Sequence, residues 1–188
     1  SPSTFTNSLS VASVENVGYT GEYLTVADRK MFYHDSNEKN GSYWSNHLLA
    51  TIPGNYDYVY IDSIGTSEEF TAMKDLITDK IAICNRGDLN FSDKATNAAS
   101  NGAIATIVAN NVEGGTVSMD LSMYAYSQPC VSISLDDANY IKKNSEKHTT
   151  DSGLVYYTGS LTVSSNSAVS DNRADHYTMS DFSSWGVP

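Results

Sequence analysis

The chain has 188 residues, 40% of them hydrophobic, enough for the core of one ordinary domain. Its 22 acidic and 11 basic residues leave a net charge of −11, a surface that repels nucleic acid and anionic membranes. No apolar run approaches the ~20 residues a membrane span needs, and two cysteines without a Cys-x-x-Cys pair do not make a structural zinc site.

In chain order, the start at Ser1 carries no signal-peptide pattern and no initiator Met, so a chain processed or excised from something longer is expected. Residues 9–14 alternate at period two and read as a strand. Tyr23–Val26 and Lys30–His34 read as two strands joined by a tight turn at Ala27-Asp28-Arg29. The polar stretch from Asp35 to Ser45 faintly resembles a calcium loop. Lys39 and Asn40 stand where a ligand and a glycine belong, so a solvated turn is the expectation.

Tyr58–Asp62 reads as a strand, and Thr66 then opens a helix with Glu69 three residues on, a capping box. Phe70, Met73 and Leu76–Ile77 recur at helical spacing and predict one buried face. Lys80–Cys84 is a strand. Ser92 is the expected N-cap of the next helix, whose inner face is Phe91, Ala95, Ala98 and Ala99. Gly102 suits the left-handed position that ends such a helix, and Ala103–Ala109 is apolar throughout, as a strand covered on both faces would be.

A long connection from Gly114 leads to a strand at Cys130–Ile133, after which Ser134 to Asp137 caps a helix running towards Lys143. Leu154–Tyr157 and Leu161–Val163 read as a hairpin around Thr158-Gly159-Ser160. The sum is a set of β-α-β units with flanking hairpins: an α/β fold with a small parallel sheet backed by helices, plus an antiparallel sheet.

For chemistry, Gly65-Thr66-Ser67 invites a nucleophile reading, but Glu68, Glu69 and Phe70 follow, and a helix N-cap fits better. His34, His47, His148 and His176 are scattered without metal-ligand spacing, so neither a metal nor a cofactor is expected. Arg86 could meet a carboxylate or phosphate, or anchor loops by hydrogen bonds. Cys84 and Cys130 are either two small buried thiols or one disulfide. The Met119–Tyr126 and Tyr43-Trp44 segments carry Tyr, Met and Trp suited to contact with a partner, with Met123, Tyr124, Tyr126 and Trp44 the named candidates.

Lys80-Ile81, Arg86-Gly87, Phe91, Lys94, Asn97-Ala98, Gly102-Ala103 and Asn110-Asn111 follow one another in the order and spacing of the core of protease-associated (PA) domains. Pro129 to Ile133 matches that family's following Pro-x-x-x-Ile strand, and Asp79 replaces its usual first glycine. The chain resembles a PA domain, which implies the family's β/β/α fold and structural roles for Arg86, Gly87, Phe91, Lys94, Asn97, Gly102 and Asn110. The two ends, 1–15 and Phe182 to Gly186, resemble strands of a subtilisin-like catalytic domain. The resemblance therefore divides the chain into 1–17 (strand flank), 18–170 (PA domain) and 171–188 (returning strand), as in the lactocepin-like cell-envelope proteases of Gram-positive bacteria.

It further implies a non-catalytic domain, extracellular or attached to the cell wall. Its partners would be the parent subtilisin-like catalytic domain and protein or peptide substrates. An independent ligand-binding module without effect on proteolysis is the alternative.

Overall fold

A computed structural model describes residues 20–36 and 48–170. Almost all of them fall in one compact unit, Glu22–Ser167. The strands expected at 9–14 and 179–186, the two flanks and the Tyr43-Trp44 pair lie outside the described residues.

Among the described residues nine strands alternate with four helices. They are β1 (Thr20–Val26), β2 (Arg29–Phe32), β3 (His34–Asp35), β4 (Gly54–Ile61), α1 (Ser67–Ala72), α2 (Lys74–Ile77), β5 (Ile81–Asn85), α3 (Phe91–Ser100), β6 (Ala105–Ala109), β7 (Cys130–Ile133), α4 (Leu135–Lys143), β8 (Glu146–Thr149) and β9 (Val155–Val169). A short 3-10 turn, Leu49–Thr51, precedes β4. The strand order is β2-β1-β9-β4-β5-β6-β7-β3, with β8 added to β9. β4 through β7 run parallel, while β1–β2, β3–β7, β4–β9 and β8–β9 pair antiparallel. The parallel and antiparallel parts are thus joined in one hydrogen-bonded path.

The two ends of that path are the same piece of chain. β2 and β3 are separated by Tyr33 alone, and the stretch pairs with β1 through its first half and with β7 through its second. The sheet therefore closes on itself, which removes most of the free edge that would invite pairing with other chains.

Alternation along the strands sorts residues onto two faces. Leu24, Met31, Tyr58, Ile83, Ile107, Val131 and Leu161 belong to one core cluster, which α4 joins through Ala138 and Ile141. Val59, Ala82, Cys84, Val108 and Cys130 face the other way, under α1, α2 and α3. The alanines of α3 (Ala95, Ala98, Ala99) are buried and let that helix lie close to the sheet. Both cysteines are free, buried thiols.

Four local expectations need correction. The hairpin at 154–163 does not exist: β9 runs unbroken through Gly159, which pairs with Tyr58 of β4. A Cβ at Gly159 would lie 2.4 Å from the Tyr58 hydroxyl. The glycine makes room for a phenol that reaches Ser145 at 2.7 Å, and it does not mark a turn. The real hairpin joins β8 to β9, with Gly153 at φ 87° in its turn. The helix expected over 66–77 breaks at Met73 into α1 and α2, and Leu76 is 38% exposed. Finally, the N-cap of α3 is Asn90, two residues earlier than the expected Ser92. Ser92 lies inside it, buried, donating to the Asp120 carbonyl at 3.1 Å.

Two glycine-related positions behave as their backbone requires. Gly102 sits at φ 93° after α3. Asp79 is held at φ 61°, a left-handed conformation that Asp tolerates better than most residues.

Candidate functional site

A groove of about 620 Å³ opens at the carboxyl ends of the parallel strands, where open α/β sheets commonly take ligands. One wall is the unbroken run Arg86 to Asp93, leaving β5 and entering α3. The other is Asp120, Ser122 and Met123, from the long β6–β7 connection. The groove thus brings together two segments that the sequence singled out separately.

The first wall is fixed from below. Lys94 of α3 is fully buried, and its ammonium donates to the carbonyls of Ile64 and of Asn85, the latter at 3.1 Å. The Asn85 carbonyl ends β5 and the Ile64 carbonyl lies in the loop that leaves β4, so one cation ties the exits of two neighbouring parallel strands together. Asn97, one turn on, donates to the Gly65 carbonyl at 3.1 Å. Glu69 completes the α1 capping box: it accepts from the amides of Gly65 (2.9 Å) and Thr66 (2.8 Å), and its own amide donates to the Thr66 hydroxyl. Ser67 is accordingly the first residue of a capped helix. Burial pushes the Lys94 ammonium below the ordinary lysine value, opposed by Cys84, Glu69 and Asp88 nearby.

Arg86 braces the same wall sideways. Its amide donates to the Ala109 carbonyl at 2.7 Å, and its guanidinium to the Asn110 side-chain oxygen at 3.2 Å. The Asn110 amide group donates on to the Gly115 carbonyl at 2.9 Å. Gly87 has a steric role as well, since a Cβ there would come within 2.5 Å of Ile64.

The second wall is held more lightly. Met119 and Leu121 are buried against the outer core cluster, and the Met119 amide donates to the Ser36 hydroxyl at 2.8 Å. The Ser122 amide donates to the Asp120 carboxylate at 2.9 Å, a bond that holds that carboxyl below the usual range. Tyr124 is buried, donates to the Gln128 carbonyl at 2.8 Å and stacks on Tyr126 at 6.0 Å. Met123 is 82% exposed, and Tyr126 38%. Of the contact candidates, Met123 lines the groove, Tyr126 is half open to solvent, and Tyr124 supports the loop from beneath. Trp44 lies outside the described residues.

The groove is polar and acidic. Asp88, Asp93 and Asp120 line it against a single cation, Arg86, already bonded to Asn110. No local pattern in the sequence marks this grouping of carboxylates. Asp120 lies some thirty positions from the other two in the chain and meets them only through the β6–β7 connection.

The PA domain model matches residues 50–141, the stretch that builds both walls. This chain carries a PA domain. Curated relatives of the PA-bearing chain are proteases. It is 39% identical over 74 residues to minor extracellular protease Vpr of Bacillus subtilis, covering 39% of this chain and 9% of Vpr. It is 32% identical over 133 residues to C5a peptidase of Streptococcus pyogenes serotype M3, covering 70% of this chain and 10% of the peptidase. Against the PII-type proteinase of Lacticaseibacillus paracasei it is 31% identical over 117 residues, covering 58% of this chain and 6% of that protein. The chain therefore spans about a tenth or less of these relatives.

Among solved structures, BSAP, a zinc aminopeptidase from Bacillus subtilis, aligns at TM-score 0.51 and 20% identity over 85% of this chain and 35% of its own. The aminopeptidase from Aneurinibacillus sp. strain AM-1 aligns at 0.50 and 21%, over 84% of this chain and 36% of its own. At that identity the likeness concerns the fold alone.

Proposed function

We propose that this PA domain is a non-catalytic accessory domain of a secreted or wall-attached subtilisin-like serine endopeptidase. In this reading 18–170 is inserted between two strands of the catalytic domain, supplied by 1–17 and 171–188. It governs which protein chains reach the catalytic cleft, and its contact residues are Met123 on the groove wall, Tyr126 further along the same connection, and Trp44. The observation that carries the reading is the groove itself: a built, polar cleft between the two loops, in a chain whose relatives are extracellular and other proteases. Arg86, Lys94, Asn97 and Asn110 are spent on backbone carbonyls and on each other, which suits a rigid recognition surface and not a reaction centre.

The test is deletion of 18–170 from the intact protease, with the splice strands rejoined by a short turn. Cleavage of a small chromogenic peptide is expected to persist, while the set of proteins cut, and the sites cut in them, changes. An unchanged cleavage pattern across several protein substrates would refute the selecting role. Hydrolysis by the isolated 188-residue chain, blocked by a serine-directed inhibitor, would refute the non-catalytic assignment.

A further inference from the structure

We infer that residues 116–128 of the β6–β7 connection form a strap that opens as a unit while the rest of the domain stays folded. Its opening dismantles one wall of the groove, because Asp120, Ser122 and Met123 leave with it. The inference does not depend on the accessory-domain reading.

The strap is attached differently from the rest of the fold. Among the described residues, the only backbone-to-backbone hydrogen bond made by 112–128 is internal, from the Tyr124 amide to the Leu121 carbonyl at 2.9 Å. The polar ties of 116–128 to the body are three serine hydroxyls from three places. Ser132 of β7 holds Val117 twice, accepting from its amide at 3.0 Å and donating to its carbonyl at 2.6 Å. Ser36, just past β3, accepts from the Met119 amide at 2.8 Å, and Ser92 of α3 donates to the Asp120 carbonyl at 3.1 Å. Water replaces such bonds when the strap lifts, so each contributes little net. The apolar anchors are Met119, Leu121 and Tyr124 in the outer core cluster.

A hinge precedes it. Gly114 and Gly115 sit at φ 117° and 92° with open space where a Cβ would stand, so the backbone can turn there at low cost. The Gly115 carbonyl is fixed to Asn110, which marks where the moving part begins. The closed state also carries a cost. The Thr106 hydroxyl, on β6 beside Cys130 in register, and the Gln128 side-chain oxygen are buried without a hydrogen-bond partner among the described residues. Lifting the strap gives both to water.

Two buried thiols report on the two halves of this surface. Cys130 lies under the strap: after burial, it is the largest influence raising the Tyr124 phenol. Cys84 lies under the capped corner at the start of α1, where a Cβ on Gly65 would come 2.9 Å from its sulfur. Local opening of the strap therefore frees Cys130 and leaves Cys84 covered.

The experiment is alkylation of the whole 188-residue chain with iodoacetamide at pH 8, with the two thiols resolved by peptide mass mapping. Reagent is kept in the range where rate scales with its concentration. Without urea, Cys130 is expected to react at least roughly tenfold faster than Cys84. Its rate should be nearly flat at low urea, whereas that of Cys84 should climb with the slope of global unfolding. Amides from 117 to 124 should exchange with the same opening equilibrium as Cys130.

Substitutions sharpen the result. Asn97→Ala, which loses the bond to the Gly65 carbonyl, weakens closed and open forms alike against the unfolded chain. It should speed Cys84 by about fivefold and leave Cys130 unchanged. Ser132→Ala weakens the closed form against both others and should speed both thiols by a common factor of roughly tenfold. Ser36→Ala repeats that test at the Met119 tie. Equal rates and equal urea slopes for the two thiols in the parent chain would mean that the strap leaves only with the whole fold, and would overturn the inference. So would equal acceleration of both thiols by Asn97→Ala, or an unchanged Cys130 rate in both serine variants.

Discussion

The two walls of the groove are built on opposite plans. The 86–93 wall is pinned by a buried ammonium, a bonded guanidinium and a capped helix, nearly all aimed at backbone carbonyls. The 120–126 wall hangs from Met119 and Leu121, is propped by Tyr124, and presents an exposed methionine. Stability is concentrated in the first wall and adaptability in the second. A cleft made this way can hold its charge pattern fixed while accommodating varied apolar side chains.

That contrast predicts its largest effect at Lys94. Lys94→Met keeps most of the stem but strips the donor from two carbonyls. At about 1–3 kcal/mol for each unmet acceptor, offset by no longer burying a charge, a net loss of about 3 kcal/mol is expected. For a domain of this size that lowers Tm by about 9 °C. An unchanged melt would show that desolvation of the ammonium cancels its bonds, and the first wall would then not be the rigid one.

Gly65→Ala comes next. The position is at φ 78°, and a Cβ there would lie 2.8 Å from the Phe70 ring and 2.9 Å from the Cys84 sulfur. A loss of about 2 kcal/mol in denaturant unfolding is expected, part backbone strain and part overpacking.

Alkaline pH probes the floor beneath both walls. Burial raises the Cys84 thiol to about 12 and the Cys130 thiol well above its ordinary value. Below an unfolded-state thiol pKa of about 8.5 both states hold these protons and the contribution is complete. Above it only the unfolded chain loses them, so stability falls by about 1.4 kcal/mol per pH unit for each thiol, until the folded pKa is reached. Lys94, with its pKa lowered in the fold, works the other way, adding stability as pH approaches the unfolded lysine value. Two thiols against one amine give a net decline. Cys84→Ala should flatten the slope measured by urea unfolding between pH 8.5 and 10; an unaltered slope would place the decline elsewhere.

The same division marks what could be read in advance. The parallel strands and α3 were legible because continuous apolar runs, a small-residue helix face and Gly102 each have one economical explanation. The antiparallel part was less so. Gly159 carries the sequence mark of a turn, yet it serves a steric need set by Tyr58, a hundred residues earlier. β8, Glu146–Thr149, has no apolar alternation because its side chains are largely exposed, and periodicity cannot find such a strand. At the site, Arg86, Lys94 and Asn110 stood out by their motif. The acidic pairing of Asp88 and Asp93 with Asp120 depends on how the β6–β7 connection folds back, and no local pattern encodes that.

The smallest stability effect is expected at Met123, and it separates the walls most sharply. Tyr124→Phe removes the bond to the Gln128 carbonyl and should cost about 1 kcal/mol. Met123→Ser, one residue earlier, removes a side chain that is 82% exposed and should change stability by less than about 0.5 kcal/mol. If the second wall is a contact surface, these two changes diverge in function in the opposite sense. Met123→Ser in the intact protease should shift the choice among protein substrates with Tm unmoved. Tyr124→Phe should lower Tm and leave that choice nearly as it was, because the loop keeps its outer face. Equal effects of both substitutions on substrate choice would mean that loop order, and not the exposed thioether, decides what the groove accepts.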